Sequence, residues 1–119
     1  MSRRVSFAVA SCVAAAVTAA AADRKGDTAP SEATLDLYRS KCQQCHMADG
    51  NSPIEPMNFT DGKWAHGSKP AEVAKVITEG VPSTAMLPFK DQLTEAQITD
   101  LAAYVRSFDK NLKATRKTK

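Results

Sequence analysis

Two cysteines and a histidine stand close together in the stretch Cys42-Gln43-Gln44-Cys45-His46, at a spacing that could attach a cofactor. The pattern C-x-x-C-H is the attachment signal for a c-type haem, in which two thiols add to the vinyl groups of one porphyrin. Residues three and four apart lie on the same side of a helix, so Cys45 and His46 should both project near Cys42. The motif therefore predicts one haem c, held covalently by the two cysteines, with His46 as the proximal iron ligand.

A structural zinc site and a thioredoxin-like redox pair are two other uses of a C-x-x-C spacing. Zinc would need four Cys or His ligands, and outside the motif the chain offers only Cys12 and His66, which form no second chelating pair. A redox pair would need a βαβ setting, and no strand pattern surrounds the motif. Haem attachment is the chemistry that the residues favour.

The side chain on the second face of the iron decides what such a haem does, because a methionine raises the potential and blocks small molecules. The chain offers four candidates for this position: Met47, Met57, Met86 and His66. Met47 directly follows His46 and cannot reach the opposite face. Met86 lies in an extended segment that Pro82 and Pro88 should stiffen, which could hold a thioether against iron. Met86 is therefore the predicted sixth ligand.

Three alternatives remain open at this position. Met86 could instead be a core methionine, since methionine commonly fills gaps in cores. Met57 lies in the first long loop and could also reach the iron. His66 would give a lower-potential site with two histidines, or else be an exposed loop histidine.

The first 22 residues have the pattern of an export signal. Arg3 and Arg4 precede an uncharged run over residues 5–22, rich in Ala and Val, which ends in Ala20-Ala21-Ala22. A positive start, an apolar stretch and small residues before a cleavage point are typical of a secretory signal peptide. We therefore expect residues 1–22 to be removed and the mature protein to be periplasmic.

Two other uses of this leader would tie the protein to a membrane. The apolar run is at the short end for a membrane span, so it could be retained as an anchor. The stretch Val9-Ala10-Ser11-Cys12 resembles a lipobox, which would lipidate Cys12. We expect membrane association only in these two cases.

The charge is unevenly distributed along the chain, whose formal net charge is +3. Residues 23–109 hold nine basic and thirteen acidic side chains, whereas residues 110–119 hold five basic ones and no acid. The composition predicts a flexible lead-in over 23–30, one domain over 31–109 and a basic disordered tail over 110–119. It does not indicate nucleic-acid binding, because the domain itself carries no basic patch.

Three helices are predicted within this domain, so the fold class is all-α. The first should start near Ser31 and deliver the haem motif at its end. The second should be capped by Ser68 and end at Gly80. The third should run over 95–109, because Thr94 and Gln97 form a capping box.

The segments between these helices, residues 47–68 and 81–92, lack a sustained period and contain several glycines and prolines. Loops of this length in a compact domain are usually functional, and wrapping a cofactor would justify them. Trp64, the only tryptophan, could pack in the core or donate its indole N–H to a haem propionate.

These residues together resemble the class I cytochrome c family of small monohaem electron carriers. The resemblance covers about residues 31–108 and rests on the haem motif, on the Met86-Leu87-Pro88-Phe89 stretch, and on Leu101-Ala102-Ala103-Tyr104-Val105. It implies the cytochrome c fold, with three main helices and long loops around one haem. It also implies that His46 and Met86 are the axial ligands.

Two further contacts follow from the resemblance. A carbonyl of Pro53 or Pro56 would accept a hydrogen bond from the His46 ring, and the first and last helices would cross with Tyr38 near Tyr104. The chain departs from the family at Met47 and Thr34, where glycine is frequent, and at Pro88, where the proline stands one residue late.

The predicted function is electron transfer by a periplasmic, monomeric carrier that is not an enzyme. Its iron would cycle between Fe(II) and Fe(III), and its partners would be redox proteins that dock transiently at the exposed haem edge. Two alternatives remain: a haem subunit of a larger dehydrogenase or oxidase, and a gas-binding or peroxidase-like protein with an open distal site.

Overall fold

The computed structural model describes residues 29–113, and its regular structure is helical throughout this range. The elements are α1 (Glu32–Lys41), α2 (Gln43–His46), a short 3-10 helix (Glu55–Met57), α3 (Pro70–Glu79) and α4 (Glu95–Ser107). The predicted leader, Cys12, most of the lead-in and residues 114–119 of the tail lie outside the described residues. None of the described helices is both long enough and apolar enough to cross a membrane.

Helix α1 begins where the sequence predicts it, and it ends one residue before the haem motif. The Ser31 hydroxyl accepts a hydrogen bond from the Thr34 N–H at 3.2 Å, which caps the first turn. At Cys42 the backbone φ angle changes to −118°, and the rest of the motif forms the separate helix α2. The first helix therefore delivers the motif at its C-terminal end, as predicted, with Cys42 as its C-cap residue.

Helix α3 begins one residue later than predicted. Its N-cap is Lys69, followed by Pro70 in the first turn, so the prediction of a Ser68 cap is wrong. The Glu72 carboxylate accepts the Lys69 N–H at 3.0 Å, and it satisfies an otherwise unpaired donor at this helix start. The helix ends at Gly80, as predicted.

Helix α4 has the predicted capping box. The Thr94 N–H donates to the Gln97 side chain at 2.9 Å, and the Gln97 N–H donates to the Thr94 hydroxyl at 3.2 Å. The helix ends at Ser107, slightly before the predicted 109.

Helix α4 packs against both α1 and α3, and the buried core lies along these contacts. The buried apolar residues of this core are Tyr38, Val73, Ile77, Leu93, Ile98, Leu101, Ala102 and Val105. The rings of Tyr38 and Tyr104 meet edge to face with centroids 5.0 Å apart, which confirms the predicted crossing of the first and last helices. Thr34 is buried within the same domain, at the position where the family often has glycine.

Candidate functional site

The three predicted attachment residues lie within one helical turn. The N–H groups of Cys45 and His46 both donate to the Cys42 carbonyl, at 3.2 and 3.0 Å. Both thiols are free; Cys42 is half-buried and Cys45 is exposed. The structure therefore brings together two thiols and one imidazole, which are the groups that a C-x-x-C-H motif needs.

The two thiols differ in environment. Burial raises the pKa of the Cys42 thiol to about 11, and the opposing effect of Lys41 is smaller. In the folded chain this thiol is therefore protonated at neutral pH and is a weak nucleophile.

The His46 ring is oriented by a backbone carbonyl. Its Nδ1 lies 2.8 Å from the Met57 carbonyl oxygen. A carbonyl only accepts hydrogen bonds, so Nδ1 carries the proton and the lone pair is on Nε2. Burial lowers the pKa of His46 despite the opposing effect of this bond, which favours the neutral imidazole that can bind a metal.

The prediction that Pro53 or Pro56 supplies this carbonyl is wrong. The chain forms a 3-10 turn over Glu55–Met57, which the Ile54 and Glu55 carbonyls close by accepting the N–H groups of Met57 and Asn58. Pro53 precedes this turn and Pro56 lies within it, so the carbonyl that reaches His46 is that of Met57, the last residue of the turn. The predicted type of contact is present, but the carbonyl that accepts the His46 N–H belongs to Met57, one residue after Pro56.

Phe59 covers one face of the His46 imidazole, a contact that the sequence did not reveal. The two ring centroids lie 4.3 Å apart and the planes differ by 19°. Phe59 also stacks with Trp64 at 5.8 Å and with Phe108 at 6.3 Å. A single phenylalanine in a segment without periodicity gives no signal of its partner, so only the folded structure identifies it.

Trp64 is engaged with a buried carboxylate. Its indole Nε1–H donates to Asp109 Oδ2 at 2.9 Å, and Asp109 is 3% exposed. The indole bond lowers the pKa of Asp109, as does the Asn111 N–H. Of the two predicted roles for Trp64, packing against the core is observed, while the indole N–H is directed to Asp109 rather than outward to a propionate.

Met86 is half-buried and packs against the core from a segment with several backbone restraints. The Met86 carbonyl accepts the Val81 N–H at 3.0 Å, and its N–H donates to the Thr84 hydroxyl at 3.1 Å. Just beyond it, the Phe89 N–H donates to the Ile77 carbonyl at 3.0 Å, which anchors the segment to α3. Hydrogen bonds therefore hold the Met86 segment in a defined loop, whereas the sequence predicted a stiff segment from Pro82 and Pro88 alone.

The other three candidate ligands occupy different surroundings. Met47 is exposed and adopts a φ of 64°. Met57 lies behind His46, on the Nδ1 side of the imidazole. His66 is exposed at a surface depression of about 330 Å³, together with Glu72 and Glu79.

The donor set fits haem attachment better than a metal site built from protein ligands alone. Within residues 29–113 no group of three or more His, Cys, Asp and Glu side chains could hold a metal ion. The motif provides only one imidazole nitrogen with a lone pair and two free thiols, at the sequence spacing that haem attachment uses.

Comparison with known families gives a match over most of the described domain. The family described as cytochrome c oxidase, cbb3-type, subunit III matches residues 29–105. The FixP subunit of a cbb3-type cytochrome c oxidase from Sinorhizobium medicae is 32% identical over 83 residues, which are 63% of this chain and 29% of FixP. A dihydro-heme d1 dehydrogenase from Pseudomonas aeruginosa is 38% identical over 77 residues, 65% of this chain and 15% of that protein. The chain thus spans less than a third of the length of these relatives.

Two solved structures with a similar backbone fold are covered by this chain over nearly their whole length. The KustC0563 c-type cytochrome has 32% identity and a TM-score of 0.55, covering 65% of this chain and 98% of the neighbour. Cytochrome c6 from the diatom Phaeodactylum tricornutum has 28% identity and a TM-score of 0.54, covering 69% of this chain and 93% of the neighbour.

Proposed function

The chain belongs to the family described as cytochrome c oxidase, cbb3-type, subunit III, and from this premise we propose that it is a periplasmic monohaem electron carrier. The family and the structural neighbours confirm a class I c-type cytochrome with the all-α cytochrome c fold, and with it a role in haem-based electron transfer. The finer proposal is one haem c bound through Cys42 and Cys45, with His46 and Met86 as axial ligands, in a protein that shuttles electrons and is not an enzyme.

The observation that carries the proposal is the free Nε2 of His46. The bond from Nδ1 to the Met57 carbonyl leaves the other ring nitrogen with its lone pair, half-buried beside two free cysteines. A hydrogen bond of this kind raises the basicity of an imidazole ligand and fixes its orientation. A core histidine without a ligand would have no need of two adjacent free thiols.

Met86 is the best-supported residue for the second axial position. Its backbone is restrained on both sides, so a thioether there could be held in place without a large ordering cost. Met57 lies on the Nδ1 side of His46 and His66 is exposed, so both are less suited to approach from the opposite face. A thioether ligand raises the potential and keeps the sixth position closed to small molecules.

Haem c supplies reversible one-electron chemistry when it is bound. The protein's part is to attach, orient and partly shield it. Ile54 and Leu87 are large apolar side chains that are 54% and 63% exposed, and Leu87 directly follows Met86. Such side chains suit contact with an apolar cofactor edge or a transient partner. The excess of acidic side chains over residues 23–109 favours partners with basic docking patches. In this proposal the protein is a monomer that binds each partner only transiently.

A second candidate function is a haem subunit or domain of a larger redox complex. It is favoured by the relatives, which include FixP subunits of cbb3-type oxidases much longer than this chain. The haem chemistry would be the same, and only the permanence of the interface would differ. Co-purification of a stoichiometric partner from detergent-solubilised membranes would favour it over a free carrier, as would retention of the leader.

Visible spectra of protein produced in a haem-attaching host test the proposal. A pyridine haemochrome of the denatured protein reports covalent haem, and C42S and C45S should each reduce its retention. The reduced wild type should show low-spin bands that carbon monoxide does not change.

Met86→Ala should open the sixth position and give a prompt shift with carbon monoxide. Met57→Ala is the matched control and should behave as wild type, because its carbonyl remains. A wild type that binds carbon monoxide at once would instead support the gas-binding or peroxidase-like alternative. Absence of covalent haem would defeat the whole proposal.

A further inference from the structure

The His46 imidazole is restrained in two different ways. The bond from Nδ1 to the Met57 carbonyl, at 2.8 Å, fixes the direction of the ring's nitrogen axis. A single hydrogen bond along that axis still allows the ring to rotate about it. The Phe59 ring lies nearly parallel to the imidazole at 4.3 Å, and rotation would drive the imidazole edge into it.

Phe59 is itself held from several directions. Its N–H donates to the Gly50 carbonyl at 2.8 Å. Its ring stacks with Trp64 at an interplanar angle of 12° and with Phe108 at 7°. Trp64 is in turn tied to Asp109 through the indole N–H. The ring against His46 is therefore part of a packed aromatic cluster rather than a mobile loop side chain.

We propose that Phe59 is a positioning residue that sets the plane of the His46 imidazole and keeps water from its face. This inference rests on the proposed function, in which His46 Nε2 binds haem iron. The plane of an axial imidazole determines how its π orbital overlaps the iron d orbitals, and so it sets the anisotropy of the ferric state. Because Phe59 also excludes water from this side of the imidazole, it disfavours the more highly charged ferric form, as burial generally does.

The test compares two variants of the haem-loaded protein. Phe59→Leu removes the ring and keeps an apolar side chain, whereas the matched control Phe59→Tyr keeps the ring. Ferric low-spin EPR g-values and the spread of haem-methyl NMR shifts report the imidazole plane, and redox titration reports the potential.

Phe59→Leu should change the g-values and the haem-methyl spread and lower the potential, while Phe59→Tyr stays close to wild type. A Phe59→Leu protein with wild-type g-values, shifts and potential would overturn the inference. If Phe59→Leu does not yield folded protein, NOEs between the Phe59 and His46 rings of the ferrous wild type decide: their presence together with a wild-type Phe59→Tyr spectrum supports the role, and their absence overturns it.

These outcomes are separate from those of the proposed function. A wild type without covalent haem defeats the function itself. A wild type with covalent haem and low-spin bands, but insensitive to Phe59→Leu, defeats only the role of Phe59.

Discussion

Gly80 lies so close to Met86 that a Cβ atom at Gly80 would come within 2.6 Å of the Met86 carbonyl oxygen. The same Cβ would lie 2.7 Å from the Pro88 nitrogen. Gly80 also has φ of 67° and ψ of −172°, a region that is essentially restricted to glycine. The end of α3 and the proposed ligand segment therefore depend on one another through a position without a side chain.

Gly80→Ala should both destabilise the protein and loosen the Met86 segment. The positive φ costs about 1–3 kcal/mol, and the clash with Met86 and Pro88 adds to it. We expect a lower free energy of unfolding in denaturant and partial carbon monoxide binding by the reduced protein. Gly62→Ala is the matched control, because Gly62 has φ of 74° with nothing within 4 Å of its Cβ position. Equal effects of the two variants on stability and on carbon monoxide binding would contradict the Gly80–Met86 contact.

Trp64→Phe should cost stability in a pH-dependent way. The indole N–H, and then the Asn111 N–H, lower the pKa of Asp109 below its ordinary value of 3.8. A carboxyl whose pKa is lowered by folding contributes stability above its ordinary pKa and loses it as the pH falls through the folded-state value. The variant should lose about 1.5–3 kcal/mol at pH 7, as expected for a hydrogen bond to a charged group.

The difference between Trp64→Phe and wild type should shrink at pH 3, measured by denaturant unfolding followed by far-UV circular dichroism. The smaller ring also removes packing, but that loss does not depend on pH. In an Asp109→Asn background the effect of Trp64→Phe should be the same at both pH values. A difference between Trp64→Phe and wild type that is equal at pH 7 and pH 3 would count against the charged pair.

The sequence predicts local features of this fold better than it predicts contacts across loops. The Thr94 cap and the Ser31 cap are bonds between residues three apart, so their residue types alone identify them. The Met57 bond and the Phe59 stack reach His46 from eleven and thirteen residues away through a non-periodic loop. Their partners depend on how that loop folds over the helices, which no local preference specifies.

Tyr38→Phe should remove the hydrogen bond that ties α1 to Met47, the residue directly after His46. The Tyr38 hydroxyl donates to the Met47 carbonyl at 2.6 Å, and Met47 holds a φ of 64° directly after His46. Loss of this partly buried bond should lower the free energy of unfolding by about 1 kcal/mol. Tyr104→Phe is the control, because it also removes a single hydroxyl but from a half-buried tyrosine, and it should cost less. A Tyr38→Phe protein as stable as Tyr104→Phe would show that the bond to Met47 contributes nothing.

The Tyr38 phenol should resist ionisation in the folded protein. Burial is the main cause that raises its pKa above the ordinary value of 10.0, and the nearby Cys42 thiol acts in the same direction. The side chain is 1% exposed and its proton is used in the bond to Met47, so a phenolate there would lose both solvation and a hydrogen bond. In Tyr104→Phe protein labelled with [13C]tyrosine, the Tyr38 Cζ signal should keep its phenol shift above pH 10 until the chain unfolds. A shift to the phenolate position in folded protein near pH 10 would mean that water reaches this ring, which the packing of α1 on α4 should prevent.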